Sequence, residues 1–210
     1  MFPCPHPSDR LLTVLVLGVP LCCDFSHVCY GQTISPKWVP AGIGNGGLGM
    51  PIMRMNHAVL YVRDASRSQR FYADVLGFST VIEHPAGAFV FMRAPASDNH
   101  HDIAFFSIGS DAAASQAGKT TVGMYHIAWE VPTLHELDEM RTRLASVDAL
   151  VGASDHGANK SLYARDPDGL EFEVMWLVPA EHWGDSEHEA IVDPLDLHAE
   201  IERFAKVGLL

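Results

Sequence analysis

The residues best equipped for chemistry in this chain are two histidines and two glutamates whose spacing repeats. His57 lies near the start of residues 55–62, Met-Asn-His-Ala-Val-Leu-Tyr-Val. His126 lies near the start of residues 124–131, Met-Tyr-His-Ile-Ala-Trp-Glu-Val, at an offset of 126 − 57 = 69 residues. A third stretch, residues 166–176, brings a glycine turn and then Glu171 and Glu173. All three read as β-strands. Alternation puts His57, Val59 and Tyr61 on one face, His126 with Ala128 and Glu130, and Glu171 and Glu173 with Met175. A charged side chain inside a curved sheet is costly unless it is paired or bound to a metal. Either histidine alone reads as structural. Two imidazoles and a carboxylate at repeat-related positions suit a divalent metal with open coordination sites, and parity leaves Glu171 and Glu173 as rival ligands.

The totals narrow the function classes. At 210 residues with 48% apolar content the chain can bury a real core in one domain or two small ones. Acids exceed bases by 26 − 14 = 12, which argues against a nucleic-acid partner. All four cysteines (Cys4, Cys22, Cys23, Cys29) fall in the first thirty residues. Residues 51–210 therefore hold neither a disulfide nor a thiolate metal site, and any ion there must use imidazole and oxygen.

The elements that must position these groups form two similar modules. In the first, strand 55–62 leads to Asp64, a helix N-cap, then a helix through Leu76, with Gly77 as its C-cap. Strands at 78–83, 88–94 and 102–108 follow. After a connecting stretch, 109–123, the second module opens with the His126 strand. Thr133 and Glu136 form a capping box for a helix to about Val147, and strands near 149–153, 160–165 and 170–177 complete it. The expected fold class is α+β: paired βαβββ modules forming a cupped mixed sheet around a metal site, plus a C-terminal helix. In the tail, Asp193-Pro194 reads as N-cap and N1 of that helix, with Leu195, Leu197, Ile201 and Phe204 as its apolar stripe.

The domain reading is residues 1–50 as a disordered extension, 51–178 as the paired modules (about 53–109 and 122–178), and 179–210 as the tail. Residues 11–23 form an apolar run too short to span a bilayer, with the length of a signal-peptide core but no clear cleavage site. The extension is signal-like, or lies upstream of a start near Met50, Met53 or Met55. The expected location is cytoplasmic, or secreted if the signal is genuine.

Three stretches carry a family resemblance: Phe71-Tyr72-Ala73-Asp74-Val75-Leu76-Gly77-Phe78, the two strand-borne histidines, and Asp166-Pro167-Asp168-Gly169-Leu170-Glu171-Phe172-Glu173. Together they resemble the vicinal oxygen chelate superfamily, which includes glyoxalase I, bleomycin-resistance proteins and type I extradiol dioxygenases. The resemblance covers about residues 53–178 and implies a divalent metal in a cup of paired modules. Its spacing after the glycine turn selects Glu173 over Glu171. Glyoxalase-like members carry a carboxylate in both modules, but 173 − 69 = 104 is Ala104. That leaves His57, His126 and Glu173, a two-histidine, one-carboxylate set of the kind non-haem Fe(II) oxygenases use.

His156, Leu162-Tyr163, Asp166-Pro167-Asp168-Gly169 and Glu173 resemble the extradiol dioxygenase signature, with Ser154 a departure from it. His100-His101-Asp102 resembles the stretch whose second histidine is the acid/base. The resemblance thus implies His101 as acid/base, and His156 and Tyr163 beside the substrate oxygens and bound dioxygen. The implied cofactor is Fe(II), with Mn(II) the alternative. The implied partners are a catechol-type substrate and O2, with no nucleic acid or membrane and a homo-oligomer in keeping with the family. A metal-dependent lyase or isomerase, glyoxalase-like, is the first alternative, and a small-molecule-binding resistance protein the second. Trp129, Phe91, Trp176 and Met175 read equally as pocket lining or core, and His84, His135, His182, His188 and His198 as surface.

Overall fold

Local chemistry sets the ends of the elements. Asp64 accepts hydrogen bonds from the backbone N–H groups of Ser66 and Arg67 at 2.9 and 3.3 Å, so helix α1 (Ala65–Asp74) starts where its cap is. Gly77, at φ +79°, turns the chain out of that helix. Thr133 caps α2 (Leu134–Ser146), its hydroxyl accepting from the Glu136 N–H at 3.2 Å. The Glu136 carboxylate accepts from that same hydroxyl at 2.9 Å instead of reaching the Thr133 backbone, so the capping box is half made.

The structure is a computed structural model and describes residues 52–209. Its first module runs β1 (Ala58–Val62), α1, β2 (Ser79–Glu83), β3 (Phe89–Arg93) and β4 (Ile103–Ser107). The second runs β5 (His126–Glu130), α2, β6 (Leu150–Asp155), β7 (Asn159–Arg165) and β8 (Glu171–Leu177). The α+β class and the paired βαβββ modules are as the sequence implies. The modules also match in register. β1 lies parallel to β4 with Ala58 opposite Ile103, and β5 parallel to β8 with Ile127 opposite Phe172, both partners displaced by the same 69 residues. Ala104 beside Val59 therefore stands where Glu173 stands beside Ala128.

The strands form two sheets instead of one continuous cup, ordered β1-β4-β3-β2 and β5-β8-β7-β6-β9, where β9 is the short strand Asp193–Pro194 of the tail. β1, which begins just after His57, and β5, which begins at His126, are thus edge strands. The helix-bearing faces of both sheets share one core. The ring of Tyr72 on α1 lies 4.7 Å from Phe105 in its own sheet and 6.1 Å from Phe172 in the other. Phe71 meets Phe172 at 6.0 Å, and Phe78 meets Trp129 at 5.0 Å. A charged clamp adds to this union. Asp168, in the turn before β8, takes Arg63 at 2.7 Å and Arg67 at 3.0 Å, both from the first module. The opposite sheet faces stay open: Val59 is 52% exposed and Tyr61 68%.

The tail departs from expectation at its start. Asp193–Pro194 is a short strand, β9, paired with Ser154 and Asp155 of β6. Helix α3 begins later, at Leu197–Ala205, because Asp193 is committed to that pairing and Asp196 supplies the cap, accepting from the Ala199 N–H at 3.0 Å. Leu197 and Phe204 are buried, with Phe204 4.9 Å from the ring of Trp176. Trp129 and Trp176 are thereby core residues, whereas Phe91 and Met175 lie on the open faces. Among the described residues no helix is long and apolar enough to cross a membrane. The expectations for residues 1–50 lie outside the described residues.

Candidate functional site

On the open face of the second sheet, β5 and β8 bring His126 Nε2 to 3.0 Å from Glu173 Oε2. Glu173 is buried, and its other oxygen accepts from Asn159 Nδ2 at 3.4 Å. Glu171 lies across from His126 in the ladder, yet its carboxylate engages Tyr125 and, at 3.8 Å, Arg165. Glu173 is the acid that meets the imidazole. Tyr125, next to His126, sets its ring 4.6 Å from the imidazole.

Tyr163 lies opposite Glu173 in the β7–β8 ladder, its ring 5.8 Å from His126. Its hydroxyl is 2.8 Å from His156 Nε2, and His156 Nδ1 is 2.6 Å from the carbonyl of Ile191. A carbonyl can only accept, so Nδ1 donates to it. In the neutral ring Nε2 then accepts the Tyr163 O–H. Burial, with the nearby charge of Glu173, pushes the Tyr163 pKa up and keeps its proton in place. These four residues form one cluster.

The other two predicted residues form a second cluster, on the first sheet. His57 precedes β1, is exposed, and places Nδ1 2.8 Å from Asn56 Oδ1. Its ring lies 4.3 Å from that of His101, which stacks on Phe91 at 4.9 Å. The loop carrying His100 and His101 is pinned by buried Asp102, which accepts from Ala94 N–H, Ser97 Oγ and Asn99 Nδ2. Burial lowers the His101 pKa, and the neighbouring His57 and His100 lower it further against the pull of Asp102. The ring is therefore neutral at neutral pH.

The structure gathers His126, Glu173, Tyr163 and His156 in one place and His57 and His101 in another. Among the described residues no three His, Cys, Asp or Glu side chains form a metal-holding group. The expected meeting of His57 with His126 and Glu173 is not made within this chain. The cause is the packing: the modules join through their helix faces, and both ligand-bearing faces look outward. The His126–Glu173 pair still fits a metal, since bonds of about 2.1 Å at right angles put neighbouring donor atoms roughly 3 Å apart. His126 Nδ1 is buried with no hydrogen-bond partner.

Residues 54–174 match the family model described as the Glyoxalase/Bleomycin resistance protein/Dioxygenase superfamily. The chain belongs to this superfamily. Within it, the chain is 33% identical over 124 residues to biphenyl-2,3-diol 1,2-dioxygenase 3 of Rhodococcus globerulus, covering 58% of this chain and 62% of that one. It is 26% identical over 129 residues to the catechol-2,3-dioxygenase of Bacillus subtilis strain 168, covering 61% of this chain and 43% of that one. The chain thus spans less than two thirds of either relative's length. A superfamily domain from Frankia sp. EAN1pec has the same fold, at a TM-score of 0.53 and 21% identity, covering 64% of this chain and 98% of that one.

Three participants were not singled out from sequence. Asn159 shares the face of Ser161 and Tyr163 by strand parity, so alternation alone could have found it. Tyr125 precedes the first residue of β5, where alternation does not apply. The Ile191 carbonyl belongs to an irregular segment and leaves no side-chain signal.

Proposed function

We propose that this superfamily member is an extradiol ring-cleaving dioxygenase, inserting O2 beside the two hydroxyls of a catechol-type diol with Fe(II) on the His126–Glu173 pair, His57 being the third ligand that the resemblance implies and that this chain holds in its other cluster. Mn(II) suits the same ligand set. The observation carrying this reading is the His126–Glu173 pair with the Tyr163–His156 couple at its side on one open sheet face. Two relatives named as dioxygenases of aromatic diols support it, and Ala104 argues against the two-carboxylate ligand set of glyoxalase-like members.

When bound, the metal acidifies the diol hydroxyls and supplies a position for O2. The chain's own residues do the rest. Neutral His101 accepts a proton from a diol hydroxyl and returns one as the ring opens, a role matched to its lowered pKa. Tyr163 keeps its proton and is held by His156 on the substrate's side of the pair. The Ile191 carbonyl fixes the His156 ring that positions the Tyr163 hydroxyl. Asn159 holds the Glu173 carboxylate in the orientation that faces His126.

The test is anaerobic loading with Fe(II), then a series of substituted catechols and air, following O2 uptake and the coloured ring-opened product. Coupled uptake and product, lost on substitution of His126 or Glu173 by alanine, is the expected result. Failure with every catechol, or activity of a Zn(II)-loaded form on another substrate, would transfer the protein to the lyase and isomerase branch.

A further inference from the structure

We propose that the tail segment 184–194 is a working part of the site: pressed onto the turn at Gly157, it sets through the Ile191 carbonyl which nitrogen of His156 carries the proton, and so how the Tyr163 hydroxyl is presented. Ile191 and Gly157 are the positioning residues. The inference rests on the reading above of His156 and Tyr163 as groups beside the substrate, and adds the segment that holds them.

A neutral imidazole has two forms, and the partners of its nitrogens choose between them. His156 Nδ1 lies 2.6 Å from the Ile191 carbonyl, and Nε2 lies 2.8 Å from the Tyr163 hydroxyl. The hydroxyl can donate or accept, whereas the carbonyl only accepts. The carbonyl is therefore the deciding contact. It keeps the proton on Nδ1 and leaves Nε2 bare, and the Tyr163 hydroxyl follows by donating. Without that carbonyl the ring could hold its proton on either side, and the direction of the Tyr163 O–H would be lost with it.

The segment is anchored at both ends. Before it, the Trp183 indole donates to the Val178 carbonyl, and one helical turn, Gly184–Glu187, follows. After it, Asp193 and Pro194 pair with Asp155 and Ser154 of β6. Buried Lys160 then bridges Asp155 to Glu200 of α3. Asp155 also accepts from the Gly157 N–H at 2.7 Å, so one carboxylate braces both the turn beside His156 and the helix beyond the segment. Between these anchors the chain lies hard against Gly157, whose φ is +74°. A β-carbon there would stand 2.2 Å from Ser186 Oγ, 2.6 Å from Ser186 Cβ and 3.1 Å from Ile191 Cδ1. Ser186 and Ile191 occupy the space a side chain would take, so the turn needs glycine for the approach as well as for its backbone.

The experiment reads the His156 ring in metal-free, full-length protein labelled with 15N-histidine, at about pH 8.5, where imidazoles are neutral. The ring signals are identified by their loss in His156→Gln. The wild type should show one form, with the proton on Nδ1. Gly157→Ala should displace the segment and give both forms. Adding Ser186→Gly clears the two closest contacts and should restore the single form; both variants carry the same left-handed backbone cost, so their difference isolates the tail contact. In the Fe(II)-loaded protein, Gly157→Ala should lower turnover about 10²-fold, as a misplacement of about 1 Å does, with KM for the catechol and bound iron unchanged. The double variant should regain that loss. Ser186→Leu crowds the same contact from the tail's side and replaces Gly157→Ala should the latter fail to fold. A wild-type ring with its proton on Nε2 or shared between the nitrogens overturns the inference, and so does a ring that Gly157→Ala leaves unchanged. The ring signals need neither metal nor diol, so a protein that shows them but cleaves no catechol refutes the dioxygenase reading and not the role of the tail.

Discussion

Lys160 gives the sharpest energetic prediction. It sits on the helix face of β7, 1% exposed, with its ammonium between the carboxylates of Asp155 and, at 3.2 Å, Glu200 of α3. At an effective dielectric of about 20, each contact near 3 Å is worth about 5 kcal/mol of Coulomb energy, largely offset by desolvation of three charges. Lys160→Met keeps the stem's packing but leaves Asp155 with the Gly157 N–H and Glu200 with Arg203 as their remaining partners; removing one side of a fully buried ion pair costs about 3–5 kcal/mol. Both acids keep some access to water, with side chains 22% and 15% exposed, which places the loss near the lower end. With a urea slope of about 2 kcal/mol per molar, the unfolding midpoint should fall by about 1.5 M at pH 7. Adding Glu200→Gln removes one of the two facing charges and should recover part of the loss. A midpoint for Lys160→Met within about 0.3 M of wild type would refute the assignment of Lys160 as the ionic anchor of α3.

Asp166 is buried, and that burial pushes its pKa up to about 6, against the backbone hydrogen bonds from Leu170 and Asp168. The fold therefore favours its protonated form. The stabilisation it gives is complete below the unfolded value of 3.8 and is lost as pH rises to about 6, roughly 3 kcal/mol in all. Asp166→Asn should remove that fall, and parallel urea-stability profiles for variant and wild type between pH 4 and 6.5 would contradict it. Asp168→Asn weakens the clamp on Arg63 and Arg67 and should cost about 1–3 kcal/mol of unfolding free energy, read by urea titration. His101→Asn should keep the metal while losing about 10²–10⁴-fold in turnover, and in the wild type the acid limb of the rate profile should lie below the ordinary histidine range. A rate unchanged by that substitution would remove His101 from the mechanism.

Much of this was legible in the chain itself. Caps at Asp64 and Thr133 fixed both long helices, because an N-cap acts through residues only two or three positions away. The 69-residue offset correctly placed Ala104 opposite the role of Glu173, since a repeat in sequence becomes a repeat in ladder register. Parity set Glu171, Glu173 and Met175 on one face, and the resemblance brought Tyr163 to them, opposite Glu173 in the ladder. What alternation could not reveal was how the modules join. That is decided by Tyr72, Phe78, Trp129 and Phe172, residues that read as core in either arrangement. The two clusters are therefore local and readable, and their separation is tertiary. The start of α3 failed for a related reason: Asp193 and Asp196 are both competent caps, and only the long-range pairing of β9 with β6 decides between them.

The most direct measurement is the divalent metal held per chain by the full-length protein, loaded anaerobically with Fe(II) and freed of excess, beside His57→Ala, His126→Ala and Glu173→Ala. One ion per chain in the wild type and almost none in each variant is the predicted result. Retention of the ion by all three variants, or a wild type that binds none, would contradict the account.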